Sequence, residues 1–154
     1  MKLGEALSLR ARQAQRLDDL RARIRANALV RQGEEATEDP EGLISEYEGL
    51  SDEHATLVEQ IIRTNLGAAT EGGENLLAVL HQREALKRRR NIHVFAADSG
   101  TPNRNQYGFR SSELPYESQV NVQGHRATAD ELDEQIRALD AQIQQANWQV
   151  DLVE

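Results

Sequence analysis

Four histidines and a few charged residues placed among apolar ones are the parts of this 154-residue chain that could do chemistry. A carboxylate-bridged di-metal centre between helices needs a Glu-x-x-His motif. The residues three before His54, His81, His93 and His125 are Ser51, Ala78, Arg90 and Val122, so the motif is absent. His81 and Glu84 share a helical face, but two groups on one helix are too few to close a metal site. His54 falls on an apolar seam, where a packed, hydrogen-bonded histidine is expected rather than a ligand. The chain has no cysteine, which removes disulfides, thiolate metal sites and thiol nucleophiles together. No Ser–His–Asp arrangement or Gly-rich phosphate loop is recognisable. The residues therefore call for no metal and no cofactor, and the balance leans away from an enzyme.

Two features remain as a candidate site. Arg83 and Glu84 interrupt an otherwise apolar stripe, and charges in such positions must be paired. They serve either as a pair that fixes register, the favoured reading, or as the polar floor of a pocket. The segment Tyr107-Gly108-Phe109-Arg110-Ser111-Ser112-Glu113-Leu114 gathers aromatic, basic and acidic side chains in a loop, a composition suited to docking. Asn65, Arg83, Glu84, Tyr107, Arg110 and Glu113 together form the candidate polar pocket or interface. The basic run Lys87-Arg88-Arg89-Arg90 wraps around a helix instead of lining one face, so an acidic neighbouring helix is a simpler recipient than nucleic acid. Trp148 sits off its helix seam and reads as an interface or second-neighbour contact.

The elements that must position these residues are long helices. Hydrophobic residues make up 38% of the chain and charged residues 29%, a balance that favours narrow apolar stripes on solvated helices over a thick sandwich or barrel. Leu3, Leu7, Ala14, Leu17, Ile24 and Ala28 recur at helical spacing, predicting a helix over about 2–31 that stops at Gly33. Asp39-Pro40 is a cap followed by a residue that needs no donor, starting a second helix over 40–65. Its seam of Leu43, Tyr47, Leu50, His54, Leu57 and Ile61 steps by four and three, as in a coiled coil. Ile44, Val58 and Ile62 flank that seam. Gly72-Gly73 marks a turn before a third helix over 74–97, with Leu76, Leu77, Leu80, Leu86, Val94 and Phe95 on its apolar side. The stretch 98–120, with Gly100, Pro102, Gly108 and Pro115, reads as a long loop. A fourth helix over 121–152 carries Leu132, Ile136, Leu139, Ile143, Ala146, Val150 and Val153. Either Asn121 or Thr128, the latter with Glu131, caps its start.

Charge is distributed by element. Residues 1–31 hold eight bases against three acids, about +5, and residues 32–65 ten acids against Arg63, about -9. Residues 74–97 sum to about +3 and residues 121–154 to about -5. The net charge of -8 is what remains of this alternation, which favours packing each helix beside one of opposite sign. The longest apolar run, Leu76–Leu80, is far too short to span a membrane. The opening residues lack the apolar core of a signal peptide. A soluble, cytoplasmic protein is expected.

Met1-Lys2-Leu3 with Glu5-Ala6-Leu7 and Leu9-Arg10, followed by Asn27-Ala28-Leu29-Val30 and Gln32-Gly33-Glu34, resembles the septicolysin-like family of small bacterial proteins. Glu38-Asp39-Pro40, Arg63-Thr64-Asn65, Ser112-Glu113-Leu114 and Asn147-Trp148 are similar to its later landmarks. The resemblance implies an all-helical protein that assembles into oligomers, without an established activity. The family name suggests a pore-forming lysin, yet a secreted pore former should show an export signal and a sizeable membrane-seeking face.

The expectation is thus a single all-α domain, residues 1–154. Four long antiparallel helices form an up-down bundle or coiled-coil arrangement, with a long loop between the third and fourth. Its function is expected to be self-association into a homo-oligomer, a hexamer among the sizes considered, with no nucleic acid and no membrane span. The alternatives are a ligand-binding protein or enzyme with a polar pocket at the third helix and the 98–120 loop, and a membrane-active lysin.

Overall fold

The computed structural model describes residues 1–102 and 116–154. Among them the chain is all-α, with α1 (Leu3–Asn27), α2 (Pro40–Gly67), α3 (Leu76–Ser99) and α4 (Val122–Gln149). Extended pairing is limited to two isolated bridges, Lys2 with Asp151 and Ala69 with Asn75. Two compact units divide the chain: residues 1–76 with 144–154, and residues 77–143. Each is built around one antiparallel helix pair, α1 with α2 and α3 with α4.

In the first unit, α1 ends four residues short of the expected boundary, and the cause is Asn27. Its buried side chain donates from Nδ2 to the Arg23 carbonyl at 2.9 Å, and its Oδ1 accepts the Glu38 N–H at 2.9 Å. Asn27 therefore closes the last turn of α1 and anchors the chain entering α2. Gly33 lies beyond, in a turn where its φ of +91° suits only a residue without Cβ. Arg23 then grips the Glu38 carboxylate through Nε at 3.1 and 3.2 Å and through Nη2. Asp39 caps α2 as the sequence indicates, accepting the N–H groups of Glu41 and Gly42 at 3.2 and 3.1 Å.

The ends of the chain are tied to this pair by backbone. Leu3 donates to the Val150 carbonyl at 3.0 Å, and Leu152 donates to the Met1 carbonyl at 2.9 Å. Lys2 reaches the Asp151 carboxylate at 2.8 Å and the Gln149 carbonyl at 3.0 Å. This explains why α4 stops at Gln149 and not near 152: residues 150–152 are extended because they satisfy groups that the start of α1 would otherwise leave open. The Val153 N–H donates to Thr64 Oγ1 at 3.0 Å, and Thr64 is buried on α2. At the other end of α2, the Asn75 side chain donates to the Leu66 carbonyl at 2.9 Å. Asn75 thereby closes α2, and α3 begins one residue later.

In the second unit, Asn121 and not Thr128 caps α4. Its Oδ1 accepts the Gly124 N–H at 2.9 Å. A Cβ on Gly124 would stand 2.6 Å from Asn121 Nδ2, so a glycine there makes room for the cap. The same arrangement holds at α2, where a Cβ on Gly42 would stand 2.9 Å from Asp39 Oδ2. On α4 the expected stripe is buried from Ala129 through Leu132, Ile136, Leu139 and Ile143. On α3 the expected Leu76 and Leu86 are buried and Leu77, Leu80 and Val94 half-buried, with Val79 and Ala97 added to the buried side, whereas Phe95 is 67% exposed.

Two tests follow from the first unit. Asn27→Ala leaves the Glu38 N–H without its partner and should cost about 1–3 kcal/mol, measured as a lower denaturant midpoint. The hydrogen bonds from Arg23 hold Glu38 below the ordinary carboxylate value of 4.5, and Lys2 likewise lowers Asp151 below 3.8. Depressed carboxylates stabilise the folded chain above those ordinary values, and the contribution disappears as pH falls below them. Thermal melting should therefore drop as pH falls through this window, and the drop should be shallower in Glu38→Gln.

Candidate functional site

The α3–α4 pair places charge inside its own seam. Arg83 donates from Nη1 to Asp140 at 3.2 Å and approaches its neighbour Glu84 at 3.0 Å. Two turns along, Arg90 holds the Asp133 carboxylate with both oxygens, Nε at 3.1 and 3.3 Å and Nη2 at 3.3 Å. Between these levels lie the buried Leu86 on α3 and Ile136 and Leu139 on α4. Polar and apolar layers therefore alternate along one seam. Seven residues separate Arg83 from Arg90 and Asp133 from Asp140, which is what returns each to the same face after two helical turns.

The next level holds a pair that the motif search missed. Nδ1 of His93 on α3 lies 2.8 Å from Nδ1 of His125 on α4, with ring centroids 5.0 Å apart and planes inclined at 43°. Such a contact holds one proton: one Nδ1 donates and the other accepts. Val94, Ala97 and Ala129 line a recess of about 320 Å³ beside it, ringed by Arg90, Asp98, Arg126 and Asp133 among others. Arg126 and Asp98 close that end at 3.5 Å. The ring is rich in opposite charges that already face each other, so it joins the two helices more than it awaits an ion. No group of three or more metal-ligating side chains occurs among the described residues.

The α1–α2 pair is different. Leu3, Ala6 and Leu20 are buried on α1 and Leu43, Leu57 and Ile61 on α2, and between these ends neither helix buries an apolar residue. Tyr47, Leu50 and His54, expected on the seam, are half-buried. His54 Nδ1 and Gln13 Oε1 are shielded from solvent with no hydrogen-bond partner. The hydrogen-bonded core histidine expected at His54 is thus only half realised. Beside this stretch is a recess of about 460 Å³ lined by Leu9, Gln13, Arg16, Glu46, Gly49 and Glu53 among others. Arg16 and Glu46 meet across it at 2.5 Å.

The sequence-derived candidates divide as follows. Arg83 and Glu84 are together, but Arg83 spends its charge on Glu84 and Asp140. Asn65 is half-buried on α2 in the first unit, and Arg83 and Glu84 belong to the second. Tyr107, Arg110 and Glu113 lie outside the described residues. The described flanks of that stretch, Pro102 and Tyr116–Val120, enclose a recess of about 320 Å³ with Ala96, Ser99 and Gly100.

A family model described as a family of unknown function (DUF6847) matches residues 10–152. The chain belongs to that family. It is also similar to a solved structure described as a functionally unknown conserved protein from Corynebacterium diphtheriae, with 31% identity, 99% of each chain covered and a TM-score of 0.90. No curated protein matches. The fold of this DUF6847 member is thus shared over essentially its whole length, and neither comparison supplies an activity.

The histidine pair has a direct test. His93→Ala, His125→Ala and the double variant, compared by denaturant unfolding, should show a coupling of about 1 kcal/mol for the shared hydrogen bond. Additive losses would show that the rings contribute separately.

Proposed function

We propose that this DUF6847 member is a cytoplasmic structural or interaction protein that works by associating with copies of itself. The observation that carries the reading is a second set of large apolar side chains, at helical spacing, that intrachain packing leaves in water. Ile62 and Leu66 on α2 are 54% and 56% exposed, and Ile92 and Phe95 on α3 are 59% and 67% exposed. Pairs separated by four and three residues lie on one helix face. Each such side chain gains roughly 1.5–3 kcal/mol when fully buried. An antiparallel pair can bury one stripe of each helix, and the other stripe is then available to a neighbour.

Size supports the same conclusion. Units of this length build small cores and are commonly reinforced by disulfides, metals or assembly. The chain has no cysteine, and the described residues hold no metal-binding cluster. The septicolysin-like resemblance points to assembly as well. Membrane lysis draws no support from the helices: among the described residues none is long and apolar enough to cross a membrane.

Sedimentation equilibrium at micromolar concentration should give a mass that is a multiple of 17.3 kDa. Ile62→Glu with Leu66→Glu, or Ile92→Glu with Phe95→Glu, should shift the distribution toward smaller species with helical circular dichroism retained. A wild-type chain that sediments only as a monomer would overturn the reading.

A further inference from the structure

We propose that the open middle of the α1–α2 pair is an interface for a second copy of this chain, docked so that the basic α1 of each lies against the acidic α2 of the other. The inference rests on the self-association reading and names the surface that performs it.

Four observations converge on this face. First, the seam is fully buried only toward its ends; in its middle Leu9, Leu17, Tyr47 and Leu50 are half-buried beside the 460 Å³ recess at Gly49. Secondly, no neighbour among the described residues requires a glycine at Gly49. A glycine inside a helix costs up to about 1 kcal/mol relative to alanine. A Cβ there would meet nothing within 4 Å among those residues, so the space above it is open. A glycine at such a position lets another backbone approach closely. Thirdly, Gln13 Oε1 and His54 Nδ1 are buried and unpartnered in the single chain, marking this stretch as one whose packing is incomplete.

The fourth observation is charge, and it selects the occupant. Beside the recesses along this face, Arg12 is exposed on α1 and Glu53 is exposed on α2. Among the described residues neither makes an ion pair, although Arg16 and Arg23 of the same helix as Arg12 do. A surface with a basic edge on one helix and an acidic edge on the other is complementary to itself under a two-fold rotation. Such isologous contacts are the commonest way in which identical chains pair. A polyanion would suit α1 and be repelled by α2, whereas a second copy satisfies both. A second recess of about 400 Å³, lined by Met1, Glu5, Arg12 and the exposed Trp148, shares Leu9 with the first and extends the same face along α1.

The test is to fill the groove. The Cβ that Gly49→Arg adds meets nothing within 4 Å among the described residues, so the variant should keep the helical signal and melt no lower than the wild type in dilute solution. It should weaken association by about a hundredfold or more, read as a loss of mass in sedimentation. Gly67→Arg, at an equally open position at the end of the same helix, should leave the mass unchanged. Arg12→Glu and Glu53→Arg should each weaken association, and their combination should recover it. That recovery decides the matter even if Gly49→Arg is poorly folded. If the wild type is oligomeric and neither the groove nor the charge reversals alter its mass, this interface is overturned while self-association stands. If the wild type is monomeric, both fall.

Discussion

An antiparallel helix pair has one seam, and the amount of apolar surface that a seam can hold governs the rest of this structure. A helix contributes a buried residue at most every three or four positions, as Leu132, Ile136, Leu139 and Ile143 do on α4, and at wider intervals elsewhere, as with Val79 and Leu86 on α3. With so little burial, the backbone groups at helix ends and the charges near the seam cannot be left unsatisfied. The chain answers with specific hydrogen bonds at nearly every boundary. Asn27 closes α1 and receives the chain before α2, Asn75 closes α2, and the bridge between Lys2 and Asp151 ties the two termini. These contacts define where elements stop, which is why the observed ends depart from periodicity alone.

Glycine has two distinct uses in these helices. At Gly42 and Gly124 it stands three residues after a capping Asp39 or Asn121, and the missing Cβ is the space that the cap occupies. The gain from the cap, roughly 1 kcal/mol, offsets the conformational cost of glycine in a first turn. At Gly49, as at Gly67 on the last turn of α2, no cap or crowding among the described residues calls for a glycine. Of the two, only Gly49 stands in the helix interior, where the cost is greatest.

Much of the architecture was legible in the sequence because it depends on local chemistry. The Asp39-Pro40 start, the turn at Gly72-Gly73 and the α4 stripe are properties of neighbouring residues, and alternating charge correctly indicated ion pairs within each helix pair. The failures have physical causes. The end of α1 depends on a hydrogen bond between residues eleven apart, and hydrophobicity says nothing about it. On α3 the apolar pattern locates Leu76 and Leu86 and the interruption at Arg83, but not Phe95, because beyond Leu86 the seam passes through Arg90 and His93, which pair across it. A signal for it was present: the seven-residue intervals Arg83–Arg90 and Asp133–Asp140 match in length and oppose in sign. The His93–His125 contact had no such signal, since it requires knowing how two helices 32 residues apart are aligned.

The two seams handle polar interruptions in opposite ways. In the α3–α4 pair every interruption that faces the partner helix finds a counterpart there: Arg83 with Asp140, Arg90 with Asp133, His93 with His125. In the α1–α2 pair, Gln13 and His54 each keep a shielded atom without a partner among the described residues, and the apolar residues around them, Leu9, Tyr47 and Leu50, are only half-buried. Leaving a buried acceptor unpaired costs about 1–3 kcal/mol, as much as a helix cap contributes and more than the roughly 0–1 kcal/mol of a partly exposed ion pair. Outside this seam, Thr70 Oγ1 between α2 and α3 is the other shielded side-chain atom left without a partner among the described residues, so two of the three fall in the α1–α2 pair. The incomplete seam is better understood as half of a contact, and the unpaired charges along its two edges have the signs that the other half would need.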